Sequence, residues 1–558
     1  MLGLQLTSLP YPTQLWWSIP VAAASFVTIR YIIRIHRLFA GVGYLPGDRT
    51  LLGPNAIIPK LIPYIPYVNR GYNFAYRQGY EIFKQYGADI IARFGFMPHW
   101  FALYVADATV AREMTSNRVA FPKPVHLYTP INIYGTNVVT SEHDEWKLHR
   151  RITAPSFSER NNRLVCEEGN RLVSELFALW SKQAGGDGTR VEVNNMLETT
   201  TEFALMVIAA AGFGARFAWD DERKPAAGYR FTLLDALKIV ISNVFFRIAF
   251  SDRILGLWQK GRDIRDASHE FRRYMIEMIE ARKQQAPEDR RADLFSNLIS
   301  AAALEGSQIE KSSQLSFGDE ELVGNVFIFL FGGHETTAHS LAFALALLAV
   351  HQDVQQKLYQ SLRDLVPEGE QPTYAEIIRW TYGLAVIYES LRLFSPIPVF
   401  PKTAAEDTKV VTYSNDGKNT QIIVPIPKDT TILIDIAAIH RNPKYWKDPE
   451  EFRPERFMGD YNRDAFFSFS AGPRACMGRR FSEIEALTFL ANLVLNYRFE
   501  GDGGFVSSVQ QYPAEMINGV VGTEGYSRIV IRSGDDAINP LTIFFDGARF
   551  PAGHKDDT

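Results

Sequence analysis

The chain has 558 residues, 46% of them hydrophobic, 22% charged and 13% aromatic, a globular balance that excludes a disordered or collagen-like polymer. With 59 Lys plus Arg against 63 Asp plus Glu the net charge is −4, and this absence of a basic excess argues against a nucleic-acid partner. The two cysteines, Cys166 and Cys476, are too few for a disulfide scaffold or a Cys-rich zinc or iron–sulfur module, and suit a reducing compartment.

Residues Leu15 to Ile29 carry no charge, and the apolar run continues to Ile33, broken only by Arg30. About 20 apolar residues cross a bilayer, so one transmembrane helix is predicted, with Trp16 and Trp17 in an interfacial belt. Arg30, Arg34, His36 and Arg37 follow the run and no Lys or Arg precedes it, which places the rest of the chain on the cytoplasmic side. A cleaved signal peptide would need a basic start and small residues after the run. Ala22, Ala23 and Ala24 lie inside it, so residues 1–37 are expected to stay as a membrane anchor. Pro46, Gly47, Gly53, Pro54, Pro59, Pro63 and Pro66 then mark residues 38–71 as a Pro/Gly-rich linker.

From Tyr72 to Gly369 the texture is mainly helical, with breaks at Pro122, Pro124, Gly185, Gly186 and Pro287 and a polar loop at Gln284–Asp293. Ser316 with Asp319 reads as a helix cap opening a long, buried helix from Leu322 to about Val350. Thr373 with Glu376 reads as a capping box for a helix that reaches Leu393 before Pro396. Strands are predicted at Val410–Tyr413, Ile422–Ile426 and Thr431–Ile434, and a helix from Arg479 to Leu495. Short strands and turns follow from Tyr497. The fold class is mainly α with a minor β region.

The segment Phe469-Ser470-Ala471-Gly472-Pro473-Arg474-Ala475-Cys476-Met477-Gly478 has the form F-x-x-G-x-R-x-C-x-G. It is a tight Gly/Pro loop presenting one cysteine just before a helix, where the helix dipole and Arg474 favour thiolate. A lone thiolate without a second Cys or nearby His suits the proximal ligand of a haem iron, and thiolate ligation favours O–O cleavage. Gly472 and Gly478 let the backbone approach the macrocycle and donate N–H bonds to sulfur. Phe469 would shield the sulfur from water, and Arg474 would pair a propionate. The plainer reading, a buried structural cysteine, is applied to Cys166.

On this loop the chain resembles the haem-thiolate monooxygenases, the cytochromes P450, from the anchor to about residue 530. It is most similar in texture to membrane-bound fungal members of specialised metabolism. The resemblance implies the P450 fold over residues 72–538 as the catalytic domain, with haem b (iron protoporphyrin IX) as cofactor. Residues 539–558 are a C-terminal extension without an assigned role.

Further motifs fit that resemblance. Gly332-Gly333-His334-Glu335-Thr336-Thr337 lies mid-helix, where two glycines cost about 1 kcal/mol each and need a compensating reason. Close approach of Gly333 to a flat cofactor, with local opening of the helix, is such a reason. The resemblance makes Thr336 the alcohol that holds dioxygen and its water, and Glu335 the acid of a proton relay. The run His334 to His339 nearly spells a zinc-protease signature, but i,i+5 puts the rings about 140° apart, so a shared metal is rejected. Glu389-Ser390-Leu391-Arg392 places two charges at i,i+3 in an apolar helix, and Arg456 in Phe452-Arg453-Pro454-Glu455-Arg456-Phe457 is the third partner that the resemblance implies, for haem-site assembly. Trp146 and Arg150, one helical turn apart, and Lys402 match positions where relatives bind a haem propionate.

Phe231–Phe250, Tyr128–Val139 and Ile397–Phe400 are predominantly apolar, and by analogy form the roof and walls of a pocket for a lipophilic, terpenoid or sterol-like substrate. No nucleotide-binding Gly-rich loop follows a strand and the length leaves no room for a fused reductase, so electrons are expected from a separate NADPH–cytochrome P450 reductase. Lys147, Arg151, Lys444, Lys447, Arg479 and Arg480 would dock it. The expectation is an oxidoreductase using dioxygen, single-pass in the endoplasmic reticulum membrane and in contact with membrane lipid. Two alternatives stand beside it. One is a reductase-independent isomerase or dehydratase on the same fold, whose members usually lack an acid–alcohol pair such as Glu335–Thr336. The other is a non-catalytic haem-binding protein.

Overall fold

The computed structural model of the protein describes residues 13–498 and 529–531, apart from 54–64, 70–73, 98, 184–190, 194, 220–223, 286–292, 309–316 and 416–419. The predicted Ser316 cap, the breaks at Gly185, Gly186 and Pro287, most of the Gln284–Asp293 loop, the linker prolines Pro54, Pro59 and Pro63, and residues 539–558 lie outside the described residues, as do the side chains of Trp16 and Trp17. The strands are β1 (Arg49–Leu52), β2 (Ile90–Met97), β3 (Trp100–Val105), β4 (Val191–Val193), β5 (Val399–Thr403), β6 (Thr408–Tyr413), β7 (Gln421–Ile426), β8 (Thr431–Asp435) and β9 (Ile529–Ile531). The chain divides into two units. One comprises Met1–Phe74, Tyr80–Pro122 and Pro401–Asp435; the other Ala75–Gly79, Lys123–Phe400 and Ile436–Thr558.

The first unit contains the helix Thr13–Gly41, which ends four residues beyond the expected anchor. Its part Ile19–Gly41 is long and apolar enough to cross a membrane, with a mean hydropathy of 1.2, and Ile19, Phe26 and Val27 are exposed along it. Within the stretch read as a linker, β1 pairs in parallel with β2, Arg49 opposite Phe94. The sheet order is β1-β2-β3-β8-β5. β2 and β3 form an antiparallel pair with Ile90 opposite Val105, and β3 runs parallel to β8 with Leu103 opposite Ile432. The sequence reading placed residues 90–105 in helical texture. They are strands because Ile90 to Gly95 is buried on both faces, so the run lacks the alternation that marks a half-buried strand. Arg93 is buried in this core, 3.3 Å from Asp48 and sandwiched by the rings of Phe74 and Tyr104. β6 and β7, both predicted as strands, pair antiparallel with each other in a separate sheet.

The second unit is mainly helical. Its longest element, Asp319–Val350, is an unbroken 32-residue helix buried from Leu322 to Leu330 and again from Thr337 to Ala349, apart from half-buried His339. It starts from Gly318, whose N–H donates to the Glu321 carboxylate. The helix packs on Met196–Val207, where Thr200 donates to the Ala338 carbonyl at 3.0 Å. The Thr373–Glu376 capping box forms, but the helix it opens stops at Ile377, and a new one runs Thr381–Leu393. The break turns Trp380 into the core, where its indole donates to Ser361 and Gly383 leaves room for the ring. The helix Arg479–Asn496 packs on Glu159–Gln183.

Candidate active site

The cysteine loop is a local structure closed on itself. Cys476 N–H donates to the Phe469 carbonyl at 2.9 Å, and Ala475 N–H to Gly472. Gly472 sits at φ 68, in the left-handed region that glycine enters without cost. Gly478 is the N-cap of Arg479–Asn496, so the cysteine lies two residues before a helix N-cap. The Cys476 side chain is exposed although protein atoms crowd it on most sides, so the thiol opens into a recess. Desolvation raises its pKa; the Gly478 N–H on sulfur and the charges of Arg150 and Arg479 pull it down without cancelling the rise. The cations that act on the sulfur are Arg150 and Arg479, where the sequence pointed to Arg474.

Helix His143–Thr153 supplies the other wall, with Asp144 and Glu145 in its first turn and Arg150 and Arg151 in its last, both favourable to the helix dipole. Arg150 donates to the Ala475 carbonyl at 3.1 Å. Trp146 is buried and stacks under the Arg474 guanidinium, 4.4 Å from its ring centre. Arg474 also donates to the carbonyls of Val138 and Ser141 and pairs with Glu142. Its partners are thus protein groups that tie the loop to residues 138–142.

Glu389 and Arg392 pair at i,i+3, as their spacing predicts, and Arg456 joins them. Arg392 and Glu389 are fully buried and form a two-bond pair at 2.7 and 2.8 Å. The remaining Arg392 donors go to the carbonyls of His440, Pro449 and Glu451. Arg456 reaches Glu389 at 3.1 Å, and Arg453 N–H donates to the same carboxylate. A buried ion pair is favourable only when its other donors and acceptors are satisfied, and here they are. Sequence reasoning missed His440, which extends this cluster to the loop. Its ring bonds the Arg392 carbonyl at 3.0 Å and accepts the Phe467 N–H at 2.9 Å, nine residues before the cysteine. These partners make Nδ1 the donor and Nε2 the acceptor, and burial with the Arg392 charge pushes the ring pKa down to about 3. A single His carries no local signal for such a role.

The long helix presents a short open stretch. Phe331, Glu335 and Thr336 are half-buried and Gly332 is exposed, between two buried runs. The expected opening of the helix does not occur. Instead Thr336 and Thr337 donate to the carbonyls of Gly332 and Gly333 at 2.9 and 3.2 Å, the side-chain bonding by which hydroxyls are accommodated in helices. A Cβ on Gly333 would touch Ile208 at 3.3 Å, whereas one on Gly332 would meet nothing within 4 Å. Gly332 thus faces open space and Gly333 lies toward Ile208. Thr337 also meets Ser482 at 3.1 Å, linking this helix to the one that follows the cysteine. Beside Thr337 lies Glu485, fully buried, its carboxyl held well above the usual carboxylate range by desolvation. His334 and His339 each bond a carbonyl of their own helix one turn back.

Three sequence expectations sit elsewhere. Lys402 belongs to the first unit, where its buried ammonium donates to the Phe121 carbonyl at 3.0 Å. The apolar run Phe231–Phe250 forms two helices, Leu233–Ser242 and Val244–Ala249, with Leu234, Leu237 and Val240 buried and Phe246 and Ile248 exposed. Among the basic residues, Lys147 pairs with Asp144, and Arg479 and Arg480 both pair with Glu483.

Comparison with known proteins identifies this assembly. A sequence model of the family described as Cytochrome P450 matches residues 76–511. Cytochrome P450 monooxygenase 124 of Postia placenta is 40% identical over 462 residues, covering 82% of this chain and 86% of its own. Cytochrome P450 monooxygenase prx9 of Penicillium rubens is 26% identical, over 75% of this chain and 77% of its own, and mouse cytochrome P450 3A11 is 26% identical over 86% and 90%. The crystal structure of the cytochrome P450DA heme domain superposes with a TM-score of 0.60 at 24% identity, over 75% of this chain and 84% of that one. By family, fold and relatives the chain belongs to the cytochromes P450, oxidoreductases that bind haem and incorporate oxygen from dioxygen.

Proposed function

We propose that the protein is a membrane-anchored haem b monooxygenase that inserts one oxygen atom into a terpenoid or sterol-like molecule, with electrons from a separate NADPH-dependent reductase. Residues 1–37 anchor it in the endoplasmic reticulum membrane, and residues 72–538 form the catalytic domain on the cytoplasmic side. The observation that carries the reading is Cys476, an accessible thiol in a closed loop with the Gly478 N–H on its sulfur. This donor set fits a haem iron: one sulfur ligand, one backbone donor to hold charge on it, and two nearby cations that favour its deprotonation. The open space over Gly332 fits a flat cofactor and its substrate.

Bound haem supplies the activation of dioxygen and the transfer of an oxygen atom. Within the chain, Cys476 is the ligand, Gly472 and Gly478 let the backbone come close, and Phe469 limits water at the sulfur. Trp146 and Arg150, on the helix beside the loop, would hold a propionate, while Arg474 ties the loop to residues 138–142. Glu335 and Thr336 lie on the open stretch of the long helix, where a carboxyl and a hydroxyl can pass protons toward the reacting side. This acid–alcohol pair favours oxygenation over peroxide rearrangement. The exposed Phe246 and Ile248 beside a buried apolar face suit a roof that admits lipophilic substrates. In the reduced, carbon monoxide-bound protein the red-shifted Soret band of thiolate ligation should appear, vanish in Cys476→Ala and persist in Cys166→Ala. A band that survives loss of Cys476 removes the assignment. Reductase-dependent conversion of a panel of lipophilic metabolites, read by mass spectrometry, tests the substrate class.

A further inference from the structure

A groove of about 1090 Å³ lies within the first unit, away from the cysteine loop in sequence and assigned to nothing above. One wall is the helix from Phe26 to Val42, and the other is formed by His99, Phe101 and Pro427–Thr431. Its charge is uneven. Arg30, Arg34 and Arg37, at i, i+4 and i+7, share one helix face and all line the groove. With Lys428 they make four cations against one carboxylate, Asp429. Among the described residues no salt bridge joins any of the three guanidiniums to a carboxylate, and Arg30 lies over the Phe26 ring at 5.5 Å.

Its polarity also runs along the axis. The N-terminal end is apolar, with exposed Phe26 and Val27, and the cationic end follows toward Arg37. From Phe26 to Arg37 a helix advances about 16 Å, the scale of a phosphate headgroup plus the first part of its acyl chains. The groove shares its helix with the apolar span, so whatever occupies it is reached from the bilayer in which that span sits.

We propose that this groove binds one anionic phospholipid of the anchoring membrane, its phosphate on Arg34 and Arg37 and its chains along Phe26 and Val27. Basic side chains next to a span attract anionic lipid, and arginine stems can lie along apolar surface while the heads reach the phosphate. The proposal rests on the anchor reading.

The test uses the full-length haem protein in nanodiscs of phosphatidylcholine doped with phosphatidylserine, followed by detergent extraction and counting of retained lipid by native mass spectrometry. Phosphatidylserine should be retained above its share of the bilayer. Each arginine changed to glutamine at Arg34 and Arg37 should lower that enrichment about five-fold. Lys428→Gln should also weaken it while leaving the anchor's own charges, and thus its orientation, unchanged. Arg34→Lys with Arg37→Lys should keep part of the enrichment. Retention at bulk composition in the wild type, enrichment unaffected by the glutamine variants, or displacement by inorganic phosphate would each overturn the site. Flotation with pure phosphatidylcholine vesicles separates the two readings. A protein that floats but shows no enrichment keeps its anchor and loses the groove; one that does not float loses both.

Discussion

His440 couples two parts of the second unit through a neutral ring, and its protonation therefore sets a sign for acid stability. In the unfolded chain the imidazole takes a proton near its ordinary pKa of 6.5, whereas in the folded chain it stays neutral down to about 3. Below 6.5 the unfolded state binds more protons, so this residue's contribution falls by about 1.4 kcal/mol per pH unit on acidification and is level above it. His440→Phe leaves the Phe467 N–H without its acceptor, which should cost about 1–3 kcal/mol at neutral pH. Because the variant lacks the acid slope, its deficit should narrow as pH falls toward about 5, measured by denaturant midpoints of wild type and variant. Haem content should drop in parallel, since Phe467 begins the segment that holds the cysteine. A deficit that is constant with pH would mean that the ring is protonated in the folded protein.

At the scale of elements, the long helix shows how two adjacent glycines differ. Replacing a helix glycine by alanine gains about 1 kcal/mol from propensity alone. Gly332→Ala should collect that gain, because its Cβ meets nothing. Gly333→Ala should gain less, because Ile208 sits at 3.3 Å. Melting temperatures of the two variants should rank in that order, and Gly332→Leu should change the product pattern while the protein stays folded. The same helix marks the limit of what the amino-acid sequence discloses. Its span and the two glycines are visible from composition and periodicity, but which glycine faces open space depends on Ile208, 125 residues away by number. The cysteine loop and the Glu389–Arg392 pair are legible because their bonds are local. β2 and β3 are not, since burial on both faces erases alternation, and the stop at Ile377 is not, since it follows from where Trp380 packs. His440 is invisible for the same reason: its partners lie 27 and 48 residues away.

At the scale of the whole molecule, the N-terminal apolar helix and the cysteine loop lie far apart along the chain. Deleting residues 1–37 removes the exposed apolar stretch but keeps Phe39, which is buried and stacks under Arg49 at 4.6 Å, so the first unit should stay folded. The truncated protein should still take up haem and show weaker membrane association, with a remainder through exposed Phe246 and Ile248. In sealed vesicles an added protease should digest the full-length body from the cytoplasmic side; a protected body would reverse the topology. The first unit also has an order of assembly written into it. Its sheet joins Leu103 of β3 to Ile432 of β8, a separation of 329 residues (432 minus 103). At synthesis rates of about 5–20 residues per second, β3 leaves the ribosome roughly 16–66 s before the strand that covers its edge. Throughout that interval β3 can pair with β2 on one side, while its other side at Leu103–Val105 stays an open edge that another strand could join until β8 arrives.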